Sequence, residues 1–121
     1  MGKKILIIED DQDIVSLLEY RLISQGYEVL TAFDGAKGLE LAKNAMPDLI
    51  TLDINLPEVN GFTVCSMLKA DEVYHSIPII VITARDGYAD NVFDETVKPE
   101  AYVTKPFDMN ELIEKIEALI H

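Results

Sequence analysis

Cysteine and histidine are scarce in this sequence. The chain has 121 residues but only one cysteine, Cys65, and two histidines, His75 and His121. One cysteine cannot form an internal disulfide or a cysteine-based zinc cluster. Two imidazoles, one of them at the chain end, argue against a multi-histidine metal site and a Ser-His-Asp triad. We interpret Cys65 as a small residue of the hydrophobic core.

Basic side chains are also few. Lysine and arginine total 10 against 22 aspartates and glutamates, and the formal net charge is −12. A surface of this charge repels nucleic-acid phosphates and anionic lipid. The composition therefore predicts no direct nucleic-acid binding, and it favours basic partners or a site that concentrates cations.

Long apolar segments are absent. No run approaches the roughly 18 residues needed to span a bilayer. At the start of the chain, Met1 to Lys4 lead directly into Ile5 without the pattern of a secretory signal. We expect a cytoplasmic location and no membrane segment.

Five short apolar runs predict the strands of a buried parallel sheet. They are Ile5–Ile8, Glu28–Ala32, Leu49–Leu52, Ile79–Ile82 and Ala101–Thr104. Apolar residues at three- and four-residue spacing follow each strand and predict helices. The helices cover Ile14–Ile23, Leu39–Ala45, Phe62–Leu68, a weaker stretch over Ala89–Val97, and a closing segment capped by Asp108 that reaches Ile120. Five βα units without a linker predict one doubly wound α/β domain over residues 1–121.

Polar side chains collect where the predicted strands end. Glu9 and Asp10 follow the first strand, and the third, fourth and fifth strands lead into Asp53, Thr83 and Lys105. Because parallel strands share a direction, these groups should converge on one edge of the sheet. Clustered carboxylates without histidine or cysteine suit Mg²⁺ and a phosphate-bearing substrate. Asp53 is then the candidate nucleophile for phosphoryl transfer, and Lys105 and Thr83 are candidates to hold the phosphate oxygens.

The order of these motifs resembles the receiver domains of two-component response regulators over the full length of the chain. The resemblance rests on Glu9-Asp10, Asp53 within LDINLPEVNG, Thr83-Ala84 and Lys105-Pro106-Phe107. It implies a flavodoxin-like fold with a parallel five-stranded sheet in the order 2-1-3-4-5. It also implies a signalling domain that catalyses only its own aspartyl phosphorylation and dephosphorylation, and is otherwise not an enzyme.

The resemblance implies a metal site and a phosphorylation site that share one residue. Asp53 accepts a phosphoryl group from a phosphohistidine of a sensor histidine kinase or phosphotransfer protein. Mg²⁺ binds Asp10, Asp53 and the main-chain carbonyl of Asn55, and Glu9 holds a metal-bound water.

The resemblance also implies a switch. Lys105 contacts the phosphoryl group, and a cis peptide bond to Pro106 is part of the family pattern. Thr83 moves toward the phosphoryl group while Tyr102 turns inward. The altered surface serves a downstream protein target, a fused output domain or a phosphorylation-dependent dimer.

Several residues have a second interpretation, and two other classes of function share part of this pattern. Asp11 and Asp13 either extend the acidic site or cap the next helix, and capping is favoured. Tyr102 is otherwise a packing residue, and Asn60-Gly61 predicts a turn.

A flavodoxin-like cofactor carrier would need a loop rich in Ser, Thr and Gly where this chain has EDDQD. A Mg²⁺-dependent phosphohydrolase would share the Asp, Thr and Lys chemistry but would need a general acid and a substrate-enclosing cap.

The segment before the last strand departs from the receiver pattern. Lys98 and Pro99 stand where receivers usually carry a small pair, often Gly-Ala. Pro99 lacks an amide donor and disfavours helical geometry at Lys98, so we expect the preceding helix to end by Val97 and to be short or mobile before phosphorylation. The printed sequence ends at His121 without an output domain, and a stand-alone regulator and a piece of a longer chain remain alternatives.

Overall fold

The computed structural model describes residues 2–56, 59–83 and 97–120, in which strands and helices alternate. The strands are β1 Lys4–Ile8, β2 Glu28–Ala32, β3 Leu49–Asp53, β4 Ile79–Thr83 and β5 Ala101–Thr104. The helices are α1 Gln12–Ser24, α2 Gly35–Ala45, α3 Gly61–Lys69 and α4 Met109–Ile120. All five strands lie within one residue of the predicted apolar runs. The helix predicted over 89–97 falls almost entirely on residues 84–96, outside the described ranges.

The five strands form one parallel sheet in the order β2-β1-β3-β4-β5. This order confirms the expected 2-1-3-4-5 topology. The chain moves from β1 outward to β2, and then crosses back to pair β3 with the other side of β1. The resulting switch point lies between β1 and β3, where open α/β sheets place their ligand sites.

Helices cover both faces of the sheet. In β1, Leu6 and Ile8 belong to one hydrophobic cluster with residues of α2 and α3, whereas Ile5 and Ile7 belong to a second cluster with residues of α1 and α4. Successive strand residues point to opposite faces, which is why a run that is apolar at every position is buried from both sides. Cys65 is fully buried in the first cluster, as predicted.

Each of the first three helices begins with a polar cap that the apolar pattern did not mark. Asp11 Oδ1 accepts hydrogen bonds from the amides of Asp13 and Ile14 at 2.9 and 3.3 Å. Asp34 and Asn60 cap α2 and α3 in the same way. Side-chain caps satisfy amides that lack an intrahelical partner, so these helices begin before the first apolar residue of each stripe. The interpretation of Asp11 as a cap is confirmed.

The described helices contain at most 13 residues. None of those within the described ranges combines the length and the apolar character that crossing a bilayer requires.

Candidate functional site

The predicted polar residues meet at the carboxyl edge of the sheet. Glu9 directly follows β1, Asp53 and Thr83 are the last residues of β3 and β4, and Lys105 directly follows β5. The strand register aligns Asp53 with Ile82 and Thr83 with Thr104. The parallel sheet therefore brings together side chains that lie up to almost a hundred positions apart in the sequence.

Three carboxylates form the acidic part of the site. Glu9, Asp10 and Asp53 each offer an oxygen, and these oxygens lie within 4.8 Å of one another. Glu9 and Asp53 are buried and Asp10 is exposed. Three negative groups at this distance repel one another unless protons or a cation offset their charge.

Asp53 is held by a hydrogen bond to each oxygen. Its Oδ1 accepts from the backbone amide of Asn55 at 3.1 Å, and its Oδ2 accepts from Lys105 Nζ at 3.2 Å. The residue is only 3% exposed. These contacts fix the carboxylate at the end of β3 with an ammonium beside it.

Glu9 is the carboxylate of this group that has a buried oxygen without a hydrogen bond from a described residue. Its Oε2 accepts from the amide of Asp11 at 3.2 Å. Its Oε1 lies 3.4 Å from Lys105 Nζ, yet it is buried and forms no hydrogen bond with any described residue. Burial, together with the neighbouring Asp53 carboxylate, raises the pKa of Glu9 to about 7.

Lys105 supplies the positive charge that faces this cluster. Burial by itself lowers the pKa of Lys105, but the charges of Asp53 and Glu9 outweigh it and raise the pKa above its ordinary value. The amide of Lys105 donates to the carbonyl of Thr83 at 2.7 Å, and its peptide bond to Pro106 is cis, as the family pattern implied. Among the described residues, one ammonium faces three carboxylates, and a bound cation would offset the remaining negative charge.

The donor set fits a hard divalent cation. Mg²⁺ takes oxygen ligands and keeps several waters, and this site offers carboxylate oxygens on a rigid sheet edge. The buried Oε1 of Glu9, which accepts no hydrogen bond from a described residue, is a specific acceptor that a cation or its water would satisfy. Asn55 is held beside the cluster through its amide.

Gly61 has a different role from the predicted turn. It is the first residue of α3, it is buried, and a Cβ built on it would clash with the carbonyl oxygen of Asp53 and lie 2.6 Å from Ile54 Cα. The backbone of α3 thus packs directly against the end of β3. An Asn-Gly pair indicates a turn in many sequences, and only the packed structure shows that this glycine is needed for close approach.

Thr83 and Tyr102 lie on the same face of the sheet. Tyr102 is paired with Val81 and packs on the α2 and α3 cluster, and Thr83 is two residues beyond Val81 on the same strand. Thr83 is 3% exposed, whereas Tyr102 is half-buried. The two side chains are therefore diagonal neighbours across β4 and β5.

Comparison with known proteins gives consistent results over nearly the whole chain. The family model described as the response regulator receiver domain matches residues 5–117. The alkaline phosphatase synthesis transcriptional regulatory protein PhoP of Bacillus subtilis is 39% identical over 99% of this chain, and the DNA-binding dual master transcriptional regulator RpaA of Synechocystis is 43% identical over 97%. The chain spans about half the length of these two relatives, 49% and 48% respectively.

Solved structures agree with the fold. The receiver domain of the sensor histidine kinase PA1611 from Pseudomonas aeruginosa, solved with a magnesium ion coordinated in its active-site cleft, is 29% identical with a TM-score of 0.88. The match covers 99% of this chain and 98% of that one.

Proposed function

Because the chain belongs to the family of response regulator receiver domains, we propose that it is a phosphoacceptor signalling domain whose phosphorylation site is Asp53. The donor is a phosphohistidine of a sensor histidine kinase or of a phosphotransfer protein. The observation that carries this proposal is the buried Asp53 carboxylate, hydrogen-bonded to Lys105 and grouped with Glu9 and Asp10. A nucleophile, a cation site and a fixed ammonium are what phosphoryl transfer requires.

The transfer is an in-line displacement at phosphorus. A carboxylate oxygen of Asp53 forms the new oxygen–phosphorus bond, the bond from phosphorus to the donor imidazole nitrogen breaks, and that nitrogen keeps the electron pair and takes up a proton. Lys105 holds the phosphoryl oxygens from the side of β5, and Thr83 holds them from the end of β4. Attack of water on the phosphorus later releases inorganic phosphate and restores the carboxylate.

Mg²⁺ fits the acidic part of this site. We propose that Asp10, Asp53 and the main-chain carbonyl of Asn55 hold it, and that Glu9 holds one of its waters. When bound, the ion neutralises the charge that would otherwise repel the phosphoryl donor. The magnesium ion in the cleft of the PA1611 receiver domain supports this assignment.

Thr83 and Tyr102 form the proposed switch. Phosphorylation draws the Thr83 hydroxyl toward Asp53, and Tyr102, the diagonal neighbour of Thr83, turns inward. The surface next to β5 then changes for a partner protein. We propose that this partner is a downstream protein target, a fused output domain or a second copy of the domain.

The composition supports the rest of the proposal. With a net charge of −12, the domain acts on proteins rather than on nucleic acid directly, even though two relatives are named as transcriptional regulators. We propose a cytoplasmic location, where phosphohistidine donors of signalling kinases are made.

Intact-mass measurement tests the proposal. Acetyl phosphate and Mg²⁺ should add one phosphoryl group to the wild-type chain, and excess chelator should prevent it. Asp53→Asn should stay unmodified, whereas Asp48→Asn, a control at the opposite edge of the sheet, should react normally. Labelling of Asp53→Asn at the wild-type rate, or steady hydrolysis of small phosphate monoesters, would contradict the proposal.

A further inference from the structure

A second polar cluster lies at the amino ends of β4 and β5, opposite the edge that carries Asp53. Lys69, the last residue of α3, has a side chain only 5% exposed. Its Nζ donates to the carbonyls of His75 and Ile77, both at 2.9 Å, and to Glu100 Oε2 at 2.6 Å. The three donors of the ammonium therefore have three acceptors.

Glu100 joins this cluster to the sheet through both its backbone and its side chain. Its amide donates to the carbonyl of Ile79 at 3.0 Å, and its Oε1 accepts from the amide of Ile79 at 2.8 Å. Ile79 is the first residue of β4, and Glu100 immediately precedes β5. The carboxylate thus binds the start of β4 and the end of α3 at the same time.

Within the described residues, few buried side chains of β5 fix its position along β4. It has four residues and forms an edge of the sheet. Only Val103 among them is buried, and a strand with few buried residues specifies its register weakly. A slip of one residue would move it by about 3.3 Å and reverse its faces.

We propose that Lys69 and Glu100 are positioning residues for Lys105. Lys105 directly follows β5, so its reach toward Asp53 depends on where β5 begins. Nζ of Lys105 is 3.2 Å from Asp53 Oδ2, and a one-residue slip of β5 would break this contact. The proposal rests on the proposed function of Asp53 and Lys105.

α3 contacts both the end of β3, which carries Asp53, and the start of β5. Its first residue, Gly61, packs against the carbonyl of Asp53, and its last residue, Lys69, binds Glu100. One nine-residue helix therefore locates the nucleophile at one end and the start of β5 at the other. In this ion pair Lys69 is buried and the Glu100 side chain is 35% exposed. An ion pair with a buried partner often adds little stability over an apolar pair, and fixing a register is its best-attested use.

Lys69→Met tests the proposal with a closely matched control. Lys37→Met removes a lysine that also pairs with a glutamate, Glu40, but on the exposed surface of α2. At a temperature where all variants are folded, Lys69→Met should slow phosphorylation by acetyl phosphate by about tenfold, since small misplacements of a reacting group cost rate steeply. Lys37→Met should react at the wild-type rate. If Lys69→Met does not fold, Glu100→Gln replaces it, because the glutamine amide has one acceptor oxygen in place of the two carboxylate oxygens that accept separately from the Ile79 amide and the Lys69 ammonium.

A double-mutant cycle separates positioning from general stabilisation. If Lys69 acts through Lys105, Lys69→Met should have no further effect on the rate in a Lys105→Met background. A lower melting temperature with an unchanged rate, or an equal loss of rate in both backgrounds, would overturn the proposal.

Amide hydrogen exchange tests the positioning without phosphorylation. The amide of Lys105, which donates to Thr83, should exchange faster in Lys69→Met than in wild type, while exchange in β1 and β3 stays unchanged. A wild-type chain that acetyl phosphate does not modify would refute the proposed function, and this exchange measurement would still decide the role of Lys69. Unchanged exchange at Lys105 would refute that role.

Discussion

Glu9→Gln should stabilise the metal-free protein, and by an amount that depends on pH. The pKa of Glu9 is about 7 in the folded chain against an ordinary 4.5. Between these values the folded state binds more protons than the unfolded state, so the free energy of unfolding falls as the pH rises. Full ionisation of Glu9 costs the folded state about 3 kcal/mol.

Glutamine removes this cost because it stays neutral. In the presence of chelator, we expect Glu9→Gln to be more stable than wild type by about 3 kcal/mol near pH 8 and by about 1 kcal/mol or less near pH 5. For a chain of this size the larger value corresponds to roughly 10 °C in melting temperature. Thermal and urea unfolding followed by circular dichroism at both pH values would measure it.

The control is Glu114→Gln, which removes one charge from an exposed position on α4. It should shift stability by less than about 0.5 kcal/mol at either pH. Equal effects of Glu9→Gln near pH 5 and pH 8, or a less stable variant near pH 8, would show that ionisation of Glu9 does not destabilise the folded state.

Three further changes have defined outcomes. Saturating Mg²⁺ should raise the melting temperature, by an amount equivalent to about 2.7 kcal/mol at a hundredfold excess over Kd, and a shift that survives in Asp10→Ala would place the ion elsewhere. Thr51→Val should stabilise the protein by about 1 kcal/mol in urea unfolding, because the buried Thr51 hydroxyl has no hydrogen-bond partner among the described residues; a clear loss of stability would contradict this. Gly61→Ala should cost about 1–3 kcal/mol and slow phosphorylation, because its Cβ meets the Asp53 carbonyl; wild-type unfolding and labelling would refute it.

The sequence alone was enough to locate the strands and to name the candidate residues of the site. Buried parallel strands need apolar residues at every position, so the runs at Ile5–Ile8 and Ile79–Ile82 located β1 and β4 without reference to the rest of the chain. Because ligand sites in such sheets lie beyond the strand ends, the residues that follow each run identified Glu9, Asp53 and Lys105 as candidates. Helix starts were less accurate, because α1 and α2 begin two and four residues before the first apolar residue used to predict them.

Contacts between distant segments were decided only by the tertiary structure. The raised pKa of Glu9 depends on its burial beside Asp53, and no local pattern encodes either the burial or the distance. Lys69 and Glu100 are 31 positions apart, and each looks like an ordinary surface residue in the sequence. The periodicity of apolar residues indicates which face of a helix or strand is buried. The neighbours of a polar group depend instead on how whole helices and strands pack, and this packing placed Glu9, Lys69 and Glu100 beside their partners.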